Sequence, residues 1–200
     1  MSTIKTNQLA HTANGAATYT LPQTDGSAGQ VLMTDGSGNL SWKTPSKIIQ
    51  VVQAFKTDAF SVGNSFAEIT GLTPSITVAS GNKVLVSYGI AVSAGPNVYS
   101  AHLKLRRGST DIAISTASTG NELNVSSFYL TSYDSYSDTT FSNFNNMFLD
   151  SPSAGSHTYK AMLQSGYNSY NVYVNRPYTF RNYNNYGCVV SHLTLMEVAA

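Results

Sequence analysis

Two stretches of this 200-residue chain are dense in side chains suited to holding a ligand. Residues 165–187, SGYNSYNVYVNRPYTFRNYNNYG, interleave Tyr167, Tyr170, Tyr173, Tyr178, Tyr183 and Tyr186 with asparagines, Arg176 and Arg181. Residues 128–148, FYLTSYDSYSDTTFSNFNNMF, set Tyr129, Tyr133 and Tyr136 beside Asp134 and Asp138. Tyrosine among Ser, Gly and Asn makes adaptable recognition surfaces, because the ring offers a flat apolar face at low entropic cost and the hydroxyl a polar contact. Sugars use both: their C–H faces lie on rings and their hydroxyls bond to amides and carboxylates. The expected ligand-binding residues are therefore Tyr133, Asp134, Tyr136, Tyr178, Arg181, Tyr183 and Tyr186. Tyrosine is also a good strand former, so Tyr173 within NVYV is expected to be structural, and the loop tyrosines suit packing as well as ligand contact. Stacking on nucleic-acid bases would come with more cations.

Catalytic chemistry finds less support. The acids are Asp25, Asp35, Asp58, Glu68, Asp111, Glu122, Asp134, Asp138, Asp150 and Glu197. Asp134 and Asp138 are close in sequence, but glycosidase carboxyls must stand about 5–5.5 Å or 6.5–9.5 Å apart, which sequence spacing does not fix. No G-x-S-x-G elbow precedes a helix, so a serine triad has no frame. Asp35, Ser37 and Asn39 alternate as in a calcium loop, yet Leu40 stands where the loop glycine is required and Ser46 where the bidentate Glu belongs. The Gly-rich stretch lacks the GKS or GKT of a phosphate loop. No catalytic residue, metal or cofactor is expected. His102 and His192 lie in strand-like segments; in a trimer an axial histidine would supply three metal ligands, while the simpler reading is a hydrogen-bonded interface side chain.

The elements that must carry these loops are strands. Period-2 alternation recurs from residue 48 onward, and no segment sustains a 3.6-residue period. In KVLVSYGIAVS (83–93), Val84, Val86, Tyr88, Ile90 and Val92 share one face. Similar runs fall at 48–55, 75–80, 99–107, 111–116, 123–130, 157–165, 171–174 and 188–198, separated by Gly, Pro, Asn and Asp. The pattern fits an all-β, antiparallel two-layer sandwich of jelly-roll type, spanning residues 48–200. Residues 1–47 read as a separate segment, too poor in apolar residues to close a core alone. Within it, DGSAGQVLMTDGSGNLSW (25–42) repeats Asp-Gly-Ser, and each copy is expected to reverse the chain, since Asp-Gly reaches positive φ cheaply. Leu9, Tyr19, Leu21, Val31, Leu32, Leu40 and Trp42 alternate with these turns and invite pairing with other copies of the chain.

Composition narrows the partners. Charged residues are 10% of the chain and the formal net charge is +1, against about 25% charged in ordinary globular proteins. Nothing steers such a surface to nucleic acid or acidic lipid. The pair Arg106 and Arg107 reads as a solvated strand end. No apolar run is long enough to span a membrane, and the first residues lack a secretory h-region, so assembly in a cytoplasm is expected. Cys188 stands alone and is expected to be a small buried apolar residue.

The N-terminal LPQTDGSAGQVLMTDGSGNLSW resembles the opening of bacteriophage tail-fibre proteins, those of cyanophages and other marine phages especially. AHLKLRRGSTDIAI, SAGSHTYKAML, VYVNRP and the closing SHLTLMEVAA resemble the C-terminal heads of such fibres, of the trimeric jelly-roll type found in complement globular heads and tumour necrosis factor. The resemblance implies a homotrimeric virion protein. Its N-terminal region, residues 1–47, would be an extended attachment and neck region that joins the tail or baseplate, with Trp42 packing at the junction of neck and head, and its head would bind a host-surface polysaccharide without cleaving it. There is no Gly-X-Y shaft and there are no heptads, so the fibre would be short. The alternatives are a structural neck, collar or head-fibre component without receptor binding, or a polysaccharide depolymerase.

Overall fold

The computed structural model describes residues 6–10, 18–45, 47–95, 98, 100–117, 119–130, 141–166, 170–179 and 187–199. Among them are sixteen strands and no helix. The chain divides into two compact units, Met1–Lys47 and Ile48–Ala200.

The first unit is two β-ribbons. β1 (Gln8–Ala10) pairs antiparallel with β2 (Thr18–Thr20), and β3 (Val31–Thr34) with β4 (Leu40–Lys43). A bridge between Thr20 and Asn39 joins the ribbons, reinforced by the Thr20 amide donating to the Gly38 carbonyl at 2.8 Å. The second Asp-Gly-Ser copy closes the β3–β4 hairpin. Asp35 Oδ1 accepts the amides of Ser37 and Asn39 at 2.8 and 3.1 Å, Oδ2 accepts Asn39 Nδ2 at 2.7 Å, and Gly36 and Gly38 take φ of 80° and 92°. The Asn39 side chain first, then these amides, hold the Asp35 carboxyl below its ordinary range.

The first copy behaves differently from the expectation that both reverse the chain. The left-handed residue there is Gly29, at φ 85°. Gly26 instead leaves room for Trp42, whose Cδ2 would stand 2.6 Å from a Cβ at that position. Trp42 Nε1 donates to the Thr24 carbonyl at 2.8 Å, so the indole packs inside its own unit. No described residue of this unit is buried; Leu9, Tyr19, Val31, Leu32 and Met33 are all exposed. Two-stranded ribbons of this kind are marginal by themselves.

The second unit packs two sheets face to face. One has the order β5 (Ile48–Lys56), β16 (Ser191–Val198), β9 (Lys83–Ala94), β15 (Val172–Val174), β6 (Phe60–Val62), with β13 (Phe141–Asp150) also on β9. The other has the order β11 (Thr110–Ile112), β10 (Ser100–Arg107), β14 (Gly155–Ser165), β7 (Ala67–Glu68), with β12 (Ser127–Leu130) on β10 and β8 (Ser75–Val78) on β14. Alternation decides which side chains meet between them. Val84, Val86, Tyr88, Ile90 and Val92 of β9 are buried, as the sequence pattern requires, together with Leu193 and Leu195 of β16. Leu103 and Leu105 of β10 and Tyr159, Ala161 and Leu163 of β14 share the same core. Each fully buried aliphatic side chain contributes roughly 1.5–3 kcal/mol.

Three expectations need correction. Residues 141–150, read as part of a tyrosine-rich recognition stretch, form the ten-residue strand β13, paired with β9 from Phe141↔Ser93 to Asp150↔Val84. Phe144 is buried and Phe148 packs on the core, while Asn143, Asn145, Met147 and Leu149 point outward. Arg106 and Arg107 are ion-paired rather than simply solvated: Arg106 binds Asp111, and Arg107 binds Asp150, which also accepts the Tyr159 hydroxyl at 2.7 Å. These contacts clasp β10 and β14 of one sheet to β13 of the other. Cys188 is exposed, in the extended segment ahead of β16 beside the likewise exposed Val189 and Val190.

A knot of polar atoms organises the first sheet where β15 ends and β16 begins. Asn175 is buried with φ 64°, a conformation asparagine tolerates. Its Nδ2 donates to the carbonyls of Lys56 and Asp58 at 2.6 and 3.1 Å, and its Oδ1 accepts the Ser191 hydroxyl at 2.6 Å. Its backbone amide donates to the Ala91 carbonyl at 3.1 Å. The buried polar groups of three strands are thereby satisfied at one residue.

The two outer faces differ in chemistry. On β10 and β14, Lys104 and Arg106 bond Asp111, and Lys160 bonds Glu68 at 2.8 Å. The outer face of the other sheet carries an apolar row across four strands. Val51, Met196, Leu85 and Leu149 lie side by side in register, flanked by Met147, Ile48, Ile49 and Phe55. Val51 is 56%, Phe55 61% and Met147 65% exposed. The next row is polar, with Thr194 between Gln53 and Ser87, and beyond it His192 lies between Phe55 and Gly89, with its Cε1 2.6 Å from where a Cβ on Gly89 would be.

Candidate functional site

Of the residues expected to touch a ligand, Tyr178 falls among those described; Tyr133, Asp134, Tyr136, Arg181, Tyr183 and Tyr186 lie outside the described residues. Tyr178 belongs to an aromatic corner that follows β15. Its ring sits against Gly95, where a Cβ would approach Cε2 to 2.6 Å, and meets the Tyr173 ring edge-on at 5.6 Å between centroids. The Arg176 guanidinium stacks on the other partner, 4.6 Å from the Tyr173 ring centre. Arg176 is held by the carbonyls of Pro177 and Tyr178 at 3.0 and 2.9 Å, and its own carbonyl accepts the Ser93 hydroxyl at 2.6 Å. Cation–π stacking of this kind adds about 0.5–2 kcal/mol according to exposure. The corner borders a hollow of about 100 Å³ lined by Ala59, Phe60, Ser61, Tyr173 and Arg176. Backbone bonds and stacking thus fix both the charge and the rings, and the hollow is too small for more than a substituent.

A larger cleft, of about 500 Å³, lies on the opposite sheet and is lined by His102, Asn121, Glu122, Leu123, Val125 and Phe128. The antiparallel register of β10 and β12 sets His102 directly opposite Phe128. Their rings stack at 5.3 Å with 19° between planes. His102 Nε2 is 3.5 Å from the Ser100 hydroxyl, and Nδ1 is buried without a hydrogen-bond partner among the described residues. Burial pushes the imidazole below its ordinary value, so it is neutral at neutral pH. Gly166 makes this arrangement possible, because any Cβ there would collide with the Ser100 hydroxyl and approach His102 Cε1 to 2.9 Å. The Glu122 carboxylate accepts the Gly120 amide at 3.0 Å. Sequence reasoning did not single out Phe128, Asn121 or Glu122 as a group, since only the strand register gathers them.

Asp58, Asp111, Asp150 and Glu197 are engaged in structural contacts. Asp58 bonds Lys56 at 2.9 Å, Asp111 and Asp150 hold arginines, and Glu197 accepts Gln50 Nε2, Asn82 Nδ2 and the Ala79 amide at 2.6–2.8 Å. Those three donors, Gln50 foremost, keep Glu197 below the usual carboxylate range. No protein-family model matches this chain, and no curated protein matches it in sequence.

Proposed function

We propose that the chain is a phage tail-fibre or receptor-binding protein that assembles as a homotrimer, attaches to tail or baseplate through residues 1–47, and holds a host-surface glycan without cleaving it. The observation that carries this reading is the apolar outer face of the β5–β16–β9–β13 sheet. Monomeric proteins rarely leave so contiguous an apolar surface to water, and a second and third copy of the same face are its simplest cover. The N-terminal ribbons point the same way, with their exposed apolar side chains and no core of their own. The motifs resembling phage fibres supply the context, and the uncharged, tyrosine- and asparagine-rich composition supplies the ligand class. Weak single sites suffice, because several heads on one particle raise the effective concentration.

Sedimentation of the full chain, followed by incubation with host cells or envelope polysaccharide, tests the reading. Three subunits per particle, adsorption, and competition with phage attachment are the expected results. A monomer that adsorbs to nothing overturns it. Tyr183→Ala or Tyr186→Ala separates recognition from architecture: lost adsorption with intact particles supports recognition, whereas failed assembly supports a purely structural virion part.

A further inference from the structure

The cleft around His102 and Phe128 has the make-up of a ligand site. We propose that it seats one neutral pyranose ring, with a C–H face of the sugar on Phe128 and its hydroxyls on Glu122 and Asn121. This rests on the adhesion reading for its ligand class, and it locates the binding site on β10, β12 and the segment between β11 and β12. Three features support it. Phe128 is 53% exposed, yet its orientation is fixed by the stacked His102 ring behind it, giving a flat apolar platform open to solvent. Leu123, 47% exposed, extends the apolar wall. Beside them stand a carboxylate and a carboxamide, and a carboxylate accepts up to about four hydrogen bonds, with the Gly120 amide orienting that of Glu122.

The lining also excludes alternatives. Among the described residues it holds an acid and no cation, so uronic acids, sialic acids and phosphates meet repulsion without a compensating partner. The volume, about 500 Å³, falls in the range of roughly 300–1,000 Å³ common to small-ligand clefts. A wholly apolar ligand would offer nothing to His102 Nδ1, which is buried without a partner among the described residues, and buried polar groups left unpaired cost affinity.

The test uses the full-length protein with ¹³C-labelled histidine and follows its ring signals on addition of the methyl glycosides of glucose, galactose and mannose. Glucuronate serves as the anionic control. At least one neutral glycoside is expected to shift His102 saturably, with a Kd of about 1–10 mM, while glucuronate does not. Phe128→Ala should weaken that binding about tenfold or more, and Glu122→Gln several-fold, as expected when a contact worth about 1.4 kcal/mol or its fraction is removed. Phe128→Leu keeps the apolar volume without the ring face and should behave like Phe128→Ala, which guards against a folding artefact. No shift of His102 by any of the three glycosides overturns the inference, as does equal binding of glucuronate or full affinity in Phe128→Leu. Adsorption to cells that is untouched by Phe128→Leu overturns this cleft while the adhesion reading stands; a glycoside that binds the cleft of a protein unable to adsorb overturns the adhesion reading alone.

Discussion

Trp42 rests on the bare Cα of Gly26, so closely that a methyl group there would overlap the indole at 2.6 Å from Cδ2. Because the chain has a single tryptophan, its fluorescence reports this contact alone. Gly26→Ala should expel the ring, shift its emission to the red and destabilise the ribbon unit by about 1–3 kcal/mol, the usual cost of overpacking. Unchanged emission would show that the indole is not seated there.

Asn175→Ala should be among the most damaging single changes in the head. It strands the Ser191 hydroxyl and the carbonyls of Lys56 and Asp58, and it puts alanine at φ 64°. Buried groups left unpaired cost about 1–3 kcal/mol each, so a loss of about 3 kcal/mol or more is expected in the urea midpoint. Asn175→Gly, which relieves the backbone but not the bonds, should recover only part of it.

Tyr159→Phe removes one hydroxyl, fully buried, from Asp150. The carboxylate keeps Arg107 but loses a charge-assisted bond, and such bonds are worth about 1.5–3 kcal/mol. Thermal unfolding monitored by circular dichroism should register that loss without a change in spectrum. A loss below about 0.5 kcal/mol would mean that the clasp between the sheets is carried by Arg107 alone.

His102 makes stability fall in mild acid. Burial lowers its folded-state pKa below the ordinary 6.5, so the unfolded chain binds the proton first. The contribution is complete above about 6.5 and is lost as pH falls through that value toward the folded pKa. Stability measured between about pH 7.5 and 5.5 should decline in the native protein and decline less in His102→Gln. Parallel curves would place the titrating group elsewhere.

Val51→Lys and Leu149→Lys put charges in the apolar row without touching the core, since both side chains point outward. Each should break the proposed assembly into folded single subunits, seen as a fall in sedimenting mass with unchanged circular dichroism. Lys160→Ala, on the charged outer sheet, should leave the mass unaltered. Assembly that survives both lysines would locate the subunit contact on another surface.

The all-β class was legible because β9 alternates cleanly from Lys83 to Ile90, with Val84, Val86, Tyr88 and Ile90 turned inward. β13 was not, for a physical reason. Its inward set mixes Ser142 and Asn146 with Phe144 and Phe148, and its outward set mixes Met147 and Leu149 with asparagines, so hydropathy carries no period. The first Asp-Gly-Ser misled because the same dipeptide can serve a left-handed turn or simply make room, and only the position of Trp42 tells which. Arg107 looked solvated because Asp150 is 43 residues away in sequence. The cleft was hidden likewise: His102 and Phe128 become neighbours only through the β10–β12 register.

The row from Val51 to Leu149 bears on handling as well as on architecture. If a subunit's stability includes the copies pressed against that row, the melting temperature climbs with protein concentration, and dilution acts as a denaturant. Since the row itself carries no ion pairs, added salt should do little to loosen it, while a mild detergent at neutral pH should prise it open.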